Sequence, residues 1–328
     1  MSNTALQTYL NPFQVIFAEE GVNELIINTP TEIWVEKGGD FRAEKILQVD
    51  YDHLMGLSRL IAQSTEQVIS EEKPLLSATL PNGYRIQVVF PPVCEPGCVG
   101  MAIRKSGGMQ ISLDDYEKKG AFNHTATESL DDPDIAILQD LLSKNKVKDF
   151  LKHAVLAKKN IIISGGTSTG KTTFINAALL EVPSTERLIT VEDAREVQVP
   201  LHKNRLHLIA SKGGQGRAKV STQELIEACL RLRPDRIIIG ELRGAEAFSF
   251  LRAINTGHPG SIATLHADTP AMALEQLKLM VMQAGLGIPP DEIKKYIHTI
   301  VDVVVQLKRG QGGQRYVSEV YFKNAKEE

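Results

Sequence analysis

Eight residues constrain this chain more than any others. Gly165-Gly166-Thr167-Ser168-Thr169-Gly170-Lys171-Thr172 fits the spacing G-x-x-x-x-G-K-[ST] at every defined position. Residues 160–164 before it form a short apolar run, as expected of a buried parallel strand, and residues 173–180 after it read as a helix. Glycines let the backbone turn its N–H groups inward around an anion, and the helix N-terminus adds partial positive charge at the same point. The expected phosphate cradle is Gly165, Gly166, Thr167, Ser168, Thr169, Gly170, Lys171, Thr172 and Thr173. In that cradle Lys171 reaches the β- and γ-phosphates of a nucleotide, and the Thr172 hydroxyl binds Mg²⁺.

The chain has 328 residues, 42% of them hydrophobic, which is enough for two domains with a core each. A formal net charge of -3 is far from the basic footprint of a general nucleic-acid binder, so direct nucleic-acid binding is not expected. No apolar run approaches the roughly 18–20 residues that span a bilayer. The first ten residues lack a basic region followed by an apolar stretch, so no secretory signal is read and the expected location is the cytoplasm. Three cysteines are an odd, low count that argues against a disulfide framework. Cys94 and Cys98 read as reduced thiols in a turn between strands: a zinc site wants about four ligands, and no second pair at ligand spacing accompanies them. Cys229, in the apolar run 225–230, is expected in the core.

The first hundred residues read as strands and turns with one helix. Strands are expected at 24–28, 32–35, 84–90 and 99–104, and the apolar spacing of Leu54, Leu57, Leu60 and Ile61 predicts a helix over 51–67. This is an α+β pattern with an antiparallel sheet. Between residues 109 and 145 the pattern becomes polar and turn-rich and reads as a linker with some helix in it. From about residue 147 it becomes α/β, with strands at 160–164, 188–191, 206–210, 236–240 and 261–265. Ser221-Thr222-Gln223-Glu224 reads as a capping box opening a helix to Leu230. Helices over 270–284 and 290–300 and a hairpin of 301–307 with 315–322 close the chain, and the glycine cluster at 212–216 is expected to be a mobile loop. The expected domains are 1–108, a linker at 109–146, and 147–328.

A phosphate cradle hydrolyses nothing by itself; it needs a carboxylate to handle water or metal and groups that sense phosphate charge. The strand Arg236-Ile237-Ile238-Ile239-Gly240 ends in Glu241, and in an open α/β sheet the chemistry sits at the carboxyl ends of strands. Glu241 is therefore expected near the γ-phosphate, positioning water or reaching Mg²⁺ through water. Thr190-Val191-Glu192-Asp193-Ala194-Arg195-Glu196 places a second carboxylate pair, Glu192 and Asp193, at another strand end, with the same two roles open to it. Residues 256–267 end a further apolar strand in His266, which can hydrogen-bond a phosphate and lose that bond when the phosphate leaves.

These four ordered segments together resemble the Walker A, aspartate box, Walker B and histidine box of the secretion ATPase superfamily. The resemblance extends over nearly the whole chain and is strongest to the hexameric traffic ATPases of type IV secretion and conjugation systems. It implies a RecA-like P-loop NTPase C-terminal domain after a smaller α+β N-terminal domain, ATP and Mg²⁺ as cofactors, and a homohexamer. It also implies partners in a membrane-embedded secretion machine and peripheral association at the inner-membrane face. The nucleotide would sit between the two domains, met by N-terminal arginines, whose matching positions are Arg85 and Arg104. The Walker B strand ends Gly240-Glu241 with no Asp, which leaves the water-activating role open between Glu241 and the Glu192/Asp193 pair. A long linker in this family can hand the N-terminal domain to a neighbouring subunit. The alternatives are a type IV pilus or type II secretion assembly ATPase, a ring translocase that pulls nucleic acid, and a nucleotide-binding scaffold without turnover. The lack of four metal-binding cysteines weakens the type II option.

Overall fold

The computed structural model describes residues 2–106, 112–123, 125, 132–211 and 216–325. The expected domain boundary at 108–109 and most of the glycine-rich loop at 212–216 lie outside the described residues. Two sheets organise the described chain. The first has six strands in the order β3-β2-β1-β6-β5-β4, all antiparallel: β1 (Val22–Ile27), β2 (Glu32–Lys37), β3 (Asp40–Lys45), β4 (Leu75–Thr79), β5 (Arg85–Val89) and β6 (Gly100–Arg104). Helices α1 (Ser2–Phe17) and α2 (Tyr51–Ser64) share one core with this sheet.

The sequence reading of one N-terminal helix is corrected here. In α1, Leu6, Leu10, Phe13 and Phe17 are buried, a spacing of four, three and four residues that lays them along one stripe. Pro12 inside the helix masks that pattern in the sequence. Strand β3 also escaped notice, because an edge strand whose side chains are half-exposed or exposed carries no apolar signature. Helix α2 begins where its spacing predicts, capped by the Asp50 side chain accepting from the His53 N–H at 2.8 Å.

The second sheet has the order β13-β12-β7-β11-β10-β8-β9. Its strands are β7 (Ile161–Gly165), β8 (Leu188–Glu192), β9 (Arg205–Ile209), β10 (Arg236–Ile239), β11 (Ile262–Leu265), β12 (Val303–Arg309) and β13 (Arg315–Phe322); all pairings are parallel except that of β12 with β13. Strands β7, β8, β10 and β11 are buried along their whole length, which is why they read as continuous apolar runs. Helices α5 (Val147–Leu156), α6 (Lys171–Leu179), α7 (Thr222–Cys229), α8 (Glu246–Asn255), α9 (Pro270–Met282) and α10 (Pro290–Ile300) belong to this unit. The Ser221 capping box that opens α7 is formed in full. Along the chain, α3 (Leu113–Lys118) and α4 (Pro133–Ser143) fall between the strands of the two sheets, and α4 packs on α5 with Leu138 and Phe150 buried.

The two units are fastened together. Ile26, Val89 and Ala102 of the first sheet share a core with Leu206 and Leu208 of the second. The backbone N–H of Ile209 donates to the Val93 carbonyl at 2.7 Å. Arg187, fully buried, donates to the Asn28 side-chain oxygen at 2.7 Å, and Asn28 in turn donates to Asn204 at 2.9 Å. Burial pulls the Arg187 guanidinium down to about 9, still charged at neutral pH. A buried charge tied to amides of both units makes their separation costly, because pulling them apart would strand it.

All three cysteines are free thiols. Burial pushes Cys94 and Cys229 up to about 12, so neither is a reactive thiolate at neutral pH.

Candidate active site

Strand β7 ends at Gly165, and α6 starts at Lys171 under an N-cap at Gly170. Two glycines are required by geometry. A Cβ at Gly165 would stand 2.5 Å from the Thr169 hydroxyl and 2.9 Å from the Leu307 carbonyl oxygen. Gly170 has a left-handed φ of 91°, and a Cβ there would meet the Arg315 side chain at 2.9 Å. Thr169 donates to the Gly166 carbonyl at 2.9 Å and braces the turn. Lys171 curls back over the loop, its Nζ donating to the Gly165 carbonyl at 2.8 Å. Burial lowers the Lys171 pKa, and the charge of Glu241 acts in the opposite sense. Above the loop lies a cavity of about 500 Å³ lined by residues 167–173 together with the ends of the neighbouring strands.

Three of the residues expected at those strand ends converge on this cavity. Glu241 Oε1 is 2.6 Å from His266 Nε2, and Glu241 Oε2 accepts from Arg243 Nε at 2.8 Å. Arg243 also pairs with Asp193. The His266 ring lies 3.3 Å from Lys171 Nζ. A carboxylate, an imidazole, an ammonium and a guanidinium thus face the place where phosphate oxygens would enter.

Glu192 lines the same cavity but is engaged differently. It is buried, with Oε2 accepting from the backbone N–H groups of Glu196 and Val197, both at 2.8 Å, and Oε1 accepting from the Thr190 hydroxyl at 3.2 Å. Burial raises its pKa against those hydrogen bonds. The bonds fold residues 193–197 into a loop that brings Glu196 Oε2 to the Thr172 hydroxyl at 3.0 Å. The cavity therefore fits the implied groups. Glycine is mandatory where the backbone must curl around an anion, and the Glu196 carboxylate stands at the Thr172 hydroxyl. Among the described residues no preformed cage of three or more ligating side chains exists.

Behind Glu192, the Thr190 hydroxyl takes a hydrogen bond from His207 at 2.8 Å. Burial, with Arg195 nearby, pulls His207 down from 6.5 to about 4. His207 is therefore neutral when folded, whereas the unfolded chain takes up its proton near 6.5. Its contribution to stability is complete above that pH and is lost as the pH falls towards 4, in all on the order of 3 kcal/mol. Thermal unfolding of the protein and of His207→Gln between pH 7 and pH 4.5 should give a flatter pH slope for the variant; equal slopes would remove His207 from the account.

Glu196, Arg243 and Arg315 also line the cavity, though sequence reasoning singled out none of them. Glu196 and Arg243 stand inside the motif segments, within four residues of Glu192 and Glu241. Arg315 opens β13 and reaches the phosphate loop only because β12 pairs with β7 on one edge and with β13 on the other, a neighbourhood without a local sequence signal.

Arg85 and Arg104, expected to meet the nucleotide, stand apart from the phosphate loop of their own chain. Both line a second cavity of about 750 Å³, together with Glu24, Arg231, Arg233 and His258, and no phosphate-loop residue belongs to it. The reason is the docking of the first sheet. The Arg85–Arg104 end of the first sheet sits by the turns that lead into β10 and β11, whereas the phosphate loop lies at the carboxyl end of the second sheet.

A family model described as Type II/IV secretion system protein matches residues 10–318. Type IV secretion system protein VirB11 of Bartonella henselae is 37% identical over 329 residues, spanning 96% of this chain and 92% of the relative. Type IV secretion system protein PtlH of Bordetella pertussis is 36% identical over 317 residues, spanning 94% and 92%. The crystal structure of the VirB11 ATPase from the Brucella suis type IV secretion system, in complex with sulphate, matches with a TM-score of 0.92 at 35% identity, over 98% of this chain and 95% of that one.

Proposed function

We propose that this chain, which belongs to the Type II/IV secretion system protein family, is the ATP-hydrolysing motor of a type IV secretion or conjugative transfer system. It works as a homohexameric ring at the cytoplasmic base of the machine, on the inner-membrane face. Relatives named as type IV secretion proteins at 36–37% identity support the system. No helix among the described residues is long and apolar enough to cross a membrane, in keeping with a peripheral place.

ATP bound with Mg²⁺ supplies the γ-phosphoryl group and the cation that neutralises its charge. Gly165 to Thr173 would hold the phosphates, with Lys171, now bonded to the loop carbonyls, supplying positive charge to them, and the Thr172 hydroxyl, now bonded to Glu196, would be the loop's ligand for the cation. Glu241 orients the attacking water, while Arg243 and His266 hold its carboxylate in place. His266 also lies against Lys171, so it senses the γ-phosphate. Asp193 and Glu196 support the metal side, and Glu192 shapes the loop that carries them.

One observation supports a source for the remaining charge in the adjacent copy. Arg85 and Arg104 line a cavity that no phosphate-loop residue of their own chain enters. In a head-to-tail ring they meet the nucleotide of the adjacent copy. A guanidinium that acts mainly on the transferring phosphoryl group changes kcat more than binding. Arg85→Ala and Arg104→Ala should therefore each cut turnover at least about 10²-fold while nucleotide still binds. The test co-expresses Arg85→Ala with Lys171→Ala chains. Each homohexamer is inactive, but mixed rings regain hydrolysis at sites pairing an intact loop with an intact neighbour. No recovery in mixed rings would return the arginines to their own chain.

A further inference from the structure

The second cavity is not made by the first sheet alone. Across from Arg85 and Arg104 the second unit contributes the turn that precedes β10, with Arg231 and Arg233 lining the same space. Glu24 stands opposite Arg104, and Arg104 opposite Arg85, in one cross-strand row. Two guanidiniums directly opposite each other repel. Glu24 supplies one negative charge against them, and burial favours its protonated form. A cavity with this excess of guanidinium is built for an anion.

The groups contributed by the second unit are not equally available. Arg233 is occupied: it donates to Asp235 at 3.0 Å and lies 5.2 Å over the Phe41 ring, with its own backbone held at a left-handed φ of 57°. His258 is occupied too. Its Nδ1 faces the Pro234 carbonyl at 2.9 Å and must donate to it, so the neutral ring presents a lone pair at Nε2 that repels phosphate oxygen. Burial keeps the ring neutral. Arg231 is exposed and forms no ion pair among the described residues. Arg233 and His258 thus anchor the turn on which Arg231 is presented. The clasp of Asn28, Arg187 and Asn204, with the Val93–Ile209 backbone bond, holds this turn in a constant relation to Arg85 and Arg104.

We propose that Arg231 is a phosphate-contacting residue that acts on the nucleoside triphosphate bound by the adjacent copy, so that both units of one chain supply cations to the neighbour's site. The inference rests on the reading of Arg85 and Arg104 as acting between copies. Arg231→Ala should lower kcat at least about 10³-fold, the modest end of what an arginine at a transferring phosphoryl group contributes, with KM changed little. Arg231→Lys should regain part of that loss, because it restores the charge without the fork.

Co-expression separates the possibilities. Arg231→Ala with Lys171→Ala, each inactive alone, should restore hydrolysis at about a quarter of the sites, the statistical share for equal mixing in a head-to-tail ring. The double variant Lys171→Ala/Arg231→Ala, mixed with unaltered chain, gives the same share and serves as the control for ring formation. Suppose Arg85→Ala recovers with Lys171→Ala but Arg231→Ala does not: Arg231 then acts within its own chain or only in the fold, and the proposal is overturned while action between copies stands. If neither pair recovers in rings whose mixed composition native mass spectrometry confirms, both readings fall. Full activity of Arg231→Ala overturns the proposal outright.

Discussion

Lys171→Ala is expected to abolish ATP hydrolysis and, with it, secretion, while leaving the fold intact. The side chain makes no core contact; its ammonium bonds two loop carbonyls and lies against His266. Those carbonyls remain paired to nothing essential when it is removed, because the loop is shaped by Gly165, Gly170 and the Thr169–Gly166 bond. What disappears is positive charge on the β- and γ-phosphates, in a site where preorganised charge of this kind is worth at least about 10²-fold in rate. Phosphate release by the purified ring should fall to the background of the assay, with thermal unfolding close to that of the unaltered protein. A variant that hydrolyses ATP at an ordinary rate would refute the assignment.

Glu241→Gln is expected to bind ATP yet turn over at least about 10²-fold more slowly, the scale of a group that orients or deprotonates the attacking water. The substitution keeps the size of the side chain and removes its charge. It therefore also loosens the pairs with His266 and Arg243 that hold it against the cavity. Glu192 is the competing carboxylate. Its oxygens already accept from two backbone N–H groups and a hydroxyl, so Glu192→Gln would place an amide NH₂ against one of those donors and disturb the loop. Loss of stability with partial activity is the outcome expected of Glu192→Gln, against intact stability and lost turnover for Glu241→Gln. Normal hydrolysis by Glu241→Gln alongside an inactive Glu192→Gln would move the water-activating role to the end of β8.

The phosphate cradle was legible in the sequence because its chemistry is local. Backbone N–H groups, two sterically required glycines, a lysine and a threonine all fall within nine consecutive residues, and strand, turn and helix follow from that order. The buried parallel strands were legible for a related reason: being covered on both faces, β7, β8, β10 and β11 are apolar throughout. The convergence of Glu241, Asp193 and His266 could be anticipated because each ends such a strand, and parallel strands deliver their carboxyl ends to one side of the sheet. Helix α1 and the edge strand β3 could not be read so easily, one interrupted by Pro12 and the other lacking an apolar face.

What an individual residue does at the site depended on tertiary structure. Glu192 and Glu241 look alike as strand-end acids; only the folded loop shows one bound by backbone donors and the other facing the cavity. Arg315 reaches the phosphate loop through the pairing of β12 with β7. Above all, the address of Arg85 and Arg104 is a property of domain docking, set by a shared core around Leu206 and Leu208 and by the buried Arg187 clasp. Short-range order along the chain determined the fold of each unit and the cradle for phosphate. The packing of one unit on the other decided that Arg85 and Arg104 line a cavity apart from the phosphate loop of their own chain, because that depends on contacts between surfaces far apart in sequence.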